Sequence, residues 1–217
     1  MRVRVKICCI KSILEAKLAI EYGADALGLV AKMPSGPGPI PDDLISDIVK
    51  SIPPPIDSFL LTSETSASGI IKHHQKTNTS TIQIVDLLTD GSYSQIKEAL
   101  PSVKIVQVIH VIDQRSVDLA LKISENVDAL LLDSGNPNLK IKELGGTGRV
   151  HDWKLSRQIR DNVKCPVFLA GGLNPDNVLE AINEVLPFAV DVCSGVRTNG
   201  DLDKNKLGSF VKNTMII

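Results

Sequence analysis

Residues 167–195 read VFLAGGLNPDNVLEAINEVLPFAVDVCSG. An apolar run at 167–170 is closed by Gly171-Gly172, Asn174-Pro175 opens a stretch of helical spacing at 176–185, and a second apolar run at 189–193 is closed by Ser194-Gly195. Asn caps helices well and Pro tolerates the first helical position, so the helix is expected to start at that pair. Strand, glycine turn, helix and strand in this order point to a parallel sheet, because parallel neighbours need a crossover and a helix supplies it.

The same alternation extends outward over the chain. Strand-like runs at 3–8, 26–29, 58–61, 81–85, 104–109 and 129–133 precede the two quoted, and helical spacing appears at 13–22, 42–51, 67–75, 93–99, 115–124, 153–161, 176–185 and 204–212. Eight strand–helix units in 217 residues leave ~27 residues per unit, which predicts a single-domain (β/α)8 TIM barrel over residues 1–217. A flavodoxin-like open sheet is the alternative, but it needs fewer units. Pro53-Pro54-Pro55 reads as a rigid connection at the bottom of the barrel.

Composition narrows the partners. With 24 basic and 25 acidic residues the net charge is −1, so nothing marks a nucleic-acid footprint. No apolar run approaches the ~20 residues that span a bilayer, and the alternating Met1-Arg2-Val3-Arg4-Val5-Lys6-Ile7 start does not resemble a secretory leader. The four cysteines, Cys8, Cys9, Cys165 and Cys193, lack zinc spacing and include an adjacent pair, which fits free thiols in a reducing cytoplasm. His73-His74 reads as a solvated pair near a helix end. The expected partner is a small molecule, with no metal and no cofactor, on a monomer or homodimer.

In a (β/α)8 barrel the site is built at the C-terminal strand ends. Strand parity puts Val3, Val5 and Ile7 against the helices and turns Lys6 and Cys8 inward. The same rule places Asp133 at the inner rim after strand six, and Asp191 with Cys193 in strand eight. Each has a plain structural reading too: Cys8 as a small core residue, Asp133 as a turn cap, and Lys6 with Asp191 as an internal ion pair. Glycines in the late loops are more specific. Gly145-Gly146-Thr147-Gly148, Gly171-Gly172 and Ser194-Gly195 let backbone N–H groups approach one anion, and the loops after strands seven and eight commonly hold phosphate in this architecture. The helix dipole at Asn174-Pro175 is expected to add to that site, and Arg197 stands within reach of it.

On these residues the chain resembles the phosphoribosylanthranilate isomerase family of tryptophan biosynthesis. The resemblance runs through 5–8, 23–28, 131–133, 145–148 with Asp152-Trp153, 166–178 and 190–196. It implies an Amadori rearrangement of a phosphorylated aminoaldose to an aminoketose, with Asp133 as general acid and Cys8 as general base. Such an acid needs a pKa raised by burial, and a thiol near ~8.5 must be moved down, for which Lys6 is a candidate. Gly146, Gly171, Gly172, Ser194 and Gly195 would bind the phosphate, and Lys6, Gln83, His110 and Asp191 are further substrate-binding candidates. The chain departs from the family pattern at Cys9, where glycine is usual. It departs again at 33–40, where Ser-Pro-Arg gives way to MPSGPGPI, and at Gln83-Ile84-Val85-Asp86. Lys32, His110 or Arg149, or backbone donors at Gly36 and Gly38, would then replace the arginine that holds an anionic aglycone. A sugar-phosphate isomerase with another aglycone and a non-catalytic phosphoribosyl-binding barrel are the other readings.

Overall fold

The computed structural model describes residues 3–146 and 148–215. Eight parallel strands close into a barrel in sequence order: β1 (Arg4–Ile7), β2 (Ala26–Val30), β3 (Asp57–Thr62), β4 (Thr81–Ile84), β5 (Lys104–His110), β6 (Ala129–Asp133), β7 (Val167–Leu169) and β8 (Ala189–Val192). Closure comes from β1 against β8, with Lys6 opposite Asp191 and Ile7 opposite Val192. The helices are α1 (Ile13–Glu21), α2 (Asp42–Ser51), α3 (Ala67–Thr77), α4 (Tyr93–Ala99), α5 (Gln114–Ser124), α6 (Trp153–Asn162), α7 (Val178–Val185) and α8 (Lys204–Asn213). None is long and apolar enough to cross a membrane among the described residues.

Local chemistry explains most helix starts. Ser12, Ser66, Ser92, Asp113, Asp152 and Asp203 each accept a first-turn N–H through the side chain. The exception is α7. Asn174 does not cap it: the Asn174 side chain accepts from Asp176 N (2.8 Å) and Asn177 N (3.2 Å), closing a separate turn, and the helix begins at Val178. The local hydrogen bonds of the Asn side chain compete with helical continuation, which moves the start beyond the expected pair.

Two apolar layers follow from strand parity. Val5, Ile7, Leu130, Leu132, Val190 and Val192 pack outward on the helices. Ala129, Leu131, Ala189, Phe59 and Phe168 fill the barrel, the two rings meeting edge to face at 5.7 Å. The inward set also carries the polar groups that matter, because Lys6, Cys8, Asp133 and Asp191 keep the parity of their strands.

His73 and His74 are not solvated as the sequence suggested. His74 is buried with Nε2 2.7 Å from the Thr79 carbonyl, and His73 sits between Thr62 Oγ1 (2.8 Å) and Asp42 Oδ1 (3.1 Å). The end of α3 folds down on the start of β4, and the sequence pattern carries no mark of that packing.

Candidate active site

Lys6 anchors the interior floor. It is wholly buried, donates to Asp191 Oδ1 at 2.9 Å and lies 5.2 Å from the Phe59 ring centre. Burial alone would lower the Lys6 pKa, but the neighbouring Asp191 carboxylate more than reverses this and raises it. Gly28 makes the space: a Cβ there would stand 2.7 Å from Cys8 Sγ and 3.0 Å from Lys6 Nζ. Cys8 therefore lies directly above the ion pair, its N–H held by the Val192 carbonyl at 2.8 Å.

Asp133 ends β6 on the opposite wall. Its Oδ1 accepts from Ser134 N at 2.7 Å, and Gly145 folds back until a Cβ there would be 2.8 Å from Oδ2. Burial raises the carboxyl above its ordinary value, with the Ser134 amide and His110 opposing and Asp191 adding to the rise. A buried acid with a raised pKa is suited to carrying a proton near neutrality.

Both groups open on one cleft at the C-terminal mouth, about 700 Å³ including its open side. Gln83, Asp191, Gly146, Gly171, Gly172 and Ser194 line it as well. Gln83 is buried with its Oε1 accepting no hydrogen bond among the described residues, so an acceptor waits at the wall. Gly171 and Gly172 take φ of 81° and 66°, and a Cβ on Gly172 would meet the Arg149 carbonyl carbon at 2.6 Å, so only glycine serves there. Asn177 steadies that turn by donating from Nδ2 to the Gly172 carbonyl at 3.0 Å. Val30, Leu61, Val85 and Leu144 form an apolar wall across from these polar groups.

Comparison then decides the lineage. Residues 5–213 match the family described as N-(5'phosphoribosyl)anthranilate (PRA) isomerase. The chain belongs to the phosphoribosylanthranilate isomerase family. The N-(5'-phosphoribosyl)anthranilate isomerase 2 of Methanosarcina mazei is 37% identical over 210 residues, covering 96% of this chain and 92% of its own. The phosphoribosylanthranilate isomerase crystal structure from Thermotoga maritima superposes with a TM-score of 0.81 at 29% identity, over 99% of this chain and 100% of that one. A further phosphoribosylanthranilate isomerase structure, 28% identical with a TM-score of 0.78 over 99% and 100% of the two chains, carries reduced 1-(o-carboxyphenylamino)-1-deoxyribulose 5-phosphate.

Against this phosphoribosylanthranilate isomerase frame, several expected residues stand elsewhere. His110 does not line the cleft. Its Nε2 donates to the Val85 carbonyl (3.0 Å), and it faces a neighbouring depression with Ile112, Asp113 and Arg115. Gly195 is packed away, since a Cβ there would lie 2.0 Å from the Leu173 carbonyl oxygen, and Ser194 alone of that pair reaches the cleft. The α7 N-terminus lies beyond the Asn174 turn, so the nearest helical start is the single 3-10 turn at Ser194–Val196. Thr147 lies outside the described residues. Lys32 is exposed outside the cleft, and Arg149 pairs with Glu143. Among the described residues no Lys or Arg lines the cleft.

Arg197 does not face the phosphate loops. It grips Glu15 with both terminal nitrogens (2.9 and 3.1 Å) and donates to the Cys9 carbonyl at 2.6 Å. Burial alone would raise the Glu15 carboxyl; the guanidinium overrides it, and the carboxyl lies below its ordinary value. A depressed folded-state value means stability that is present above pH ~4.5 and lost as pH falls through the folded value. Glu15→Gln is expected to lower the denaturation midpoint at pH 7, with the difference from the parent shrinking as pH falls toward 3; a pH-independent difference would refute the pairing account.

The sequence reading missed the contacts between loops. Ser35 Oγ donates to the Lys142 carbonyl at 2.6 Å, Pro37 lies against Gly146, and the Lys142 ammonium bonds Asp86. These join the loop after β2 to the loop after β6 over the cleft. The one available signal was the Gly36-Pro37-Gly38 segment, which read only as a departure from the family pattern.

Proposed function

We propose that the chain isomerises N-(5'-phosphoribosyl)anthranilate to the carboxyphenylamino-deoxyribulose phosphate by general acid–base catalysis. The observation that carries it is that Asp133 and Cys8, from β6 and the end of β1, open on the same glycine-lined cleft. Asp133 gives its proton to the furanose ring oxygen as the C1–O bond breaks and the nitrogen lone pair forms a Schiff base. Cys8, as thiolate, takes the proton from C2, and the electron pair moves to give the enol that tautomerises to the aminoketose. No metal is needed for these proton transfers.

The phosphate is assigned to the backbone around Gly146, Gly171, Gly172 and Ser194, at the mouth's far side from the apolar wall. That wall takes the aromatic ring. With no cation on the cleft, the ring's carboxylate falls to backbone donors of the Gly36 turn, which lines it. Bonds from neutral donors are weaker than an arginine fork, so a raised KM is expected with kcat kept.

The test is turnover of the substrate made in situ from anthranilate and phosphoribosyl pyrophosphate, followed as loss of fluorescence. Saturable turnover is the expected result. A folded chain that binds the reduced product analogue yet leaves the substrate unchanged would overturn the assignment.

A further inference from the structure

Three thiols meet at the mouth of the barrel. Cys8 and Cys193 lie opposite one another, one residue past the Ile7–Val192 pair, and Cys9 contacts both through its side chain. All three line the cleft. Cys9 holds φ of 62°, a left-handed conformation that disfavours any side chain. Its backbone is fixed there by Arg197 on its carbonyl, and its thiol faces the Pro37 carbonyl at 3.7 Å. Gly38 yields the room: a Cβ at Gly38 would stand 2.7 Å from Cys9 Cβ. The thiol of Cys9 and the glycine turn after β2 therefore form one fitted contact.

Cys193 is the exposed partner. It is half-buried and opens to the cleft, whereas Cys8 and Cys9 are buried. The Cys9 hydrogen bond, helped by the Arg197 cation, lowers the Cys193 thiol below its ordinary value, while Cys9 is held up by its two thiol neighbours and by burial. One accessible thiol favoured as thiolate beside a buried protonated one is the arrangement of an attacking and a resolving cysteine. Among the described residues no group of three or more His, Cys, Asp or Glu side chains is placed to hold a metal ion, so the cluster is not a metal centre.

We propose that Cys193 and Cys9 form a redox-modifiable dithiol whose oxidation by a hydroperoxide closes a disulfide at the site and halts turnover. The Cys193 thiolate attacks the terminal peroxide oxygen, the O–O bond breaks, an alcohol or water leaves, and Cys193 becomes a sulfenic acid. Cys9 sulfur then attacks the Cys193 sulfur, the S–O bond breaks, and the hydroxyl leaves as water with the Cys9 proton. Two thiols lose two electrons and the peroxide gains them. The bond draws Cys9 toward β8 and with it the adjoining Cys8 and the contact with Pro37. The effect on turnover rests on the isomerase reading above; the crosslink itself does not.

The experiment exposes the reduced full-length chain to graded hydrogen peroxide and reads it two ways. Peptide mass mapping with fragmentation, without reductant, is expected to show Cys9 joined to Cys193 with the loss of two hydrogens, reversed by dithiothreitol. The Cys8→Ser variant should still form the crosslink, and Cys9→Gly and Cys193→Ser should not. Turnover, normalised to each protein's own reduced rate, should fall ~10²-fold in the crosslinked parent and recover on reduction, the scale at which an ångström-sized displacement in a site is felt. A parent oxidised only at Cys8, a crosslink that survives in Cys9→Gly, or a crosslinked parent with undiminished turnover overturns the proposal. Because the mass reading needs no substrate, a chain inactive on phosphoribosylanthranilate still answers whether the dithiol closes.

Discussion

Asp133→Asn is expected to lower kcat by ~10³-fold while leaving the chain folded, within the range that a positioned general acid contributes. Asn matches the shape of the carboxyl and still accepts from Ser134 N, which holds Asp133 Oδ1 at 2.7 Å. What it lacks is a transferable proton, so the loss should fall on kcat more than on KM. The same residue sets one limb of the pH profile. Asp133 acts protonated, and its value is raised, first by burial, so kcat in the parent should fall as pH rises through that value. Stability should move the opposite way. A carboxyl whose folded value lies above its unfolded value near 3.8 contributes stability below that pH and loses it as pH rises through the folded value. Asn never ionises, so the variant's melting temperature should gain on the parent's between pH 4 and pH 8. Cys8→Ser, tested alongside, should also depress kcat, but without that pH-dependent gain. An Asp133→Asn protein of near-parental kcat would move the acid elsewhere; one that is inactive and also less stable at every pH would make Asp133 a structural residue.

Parity made much of this site legible. Alternation along 3–8, 129–133 and 189–193 turned Lys6, Cys8, Asp133 and Asp191 inward, and the barrel keeps that assignment because each strand buries its other face on helices. Strand and helix positions agreed to within a residue or two, since apolar spacing and serine or aspartate caps are local signals. The failures share a cause. Arg197 looked like a phosphate ligand from its place beside Ser194-Gly195, yet its partner is Glu15, 182 positions away. His110 follows β5 as expected but turns to the Val85 carbonyl on β4. Gly195 lies against Leu173 from the preceding loop. In each, the deciding contact comes from a distant segment, and local pattern carries no record of it. Asn174 failed differently, because the side chain had two local partners to choose from and made a turn with one of them.

Lys6→Met should lower stability by about 3–5 kcal/mol, the cost of leaving a buried charge without its partner. Lys6 is fully buried and holds Asp191 Oδ1 at 2.9 Å, so methionine leaves the Asp191 carboxylate facing an apolar barrel. Because the Lys6 pKa is raised above its ordinary value of 10.5, its contribution is complete at neutral pH and lost only in strong alkali. In a chain of 217 residues the loss corresponds to a melting temperature lower by roughly 10 °C. Lys6→Met with Asp191→Leu should recover most of it, since a buried pair replaced together by apolar groups of similar volume is often neutral. Turnover should not recover. The ammonium and Cys8 Sγ press on the same Gly28 α-carbon, and Asp191 stands on the cleft wall, so the double variant loses the charges that surround the reacting atoms. A single variant that melts with the parent would show that Asp191 finds another partner. A double variant that regains both stability and turnover would reduce the pair to packing, leaving Cys8 and Asp133 to act without it.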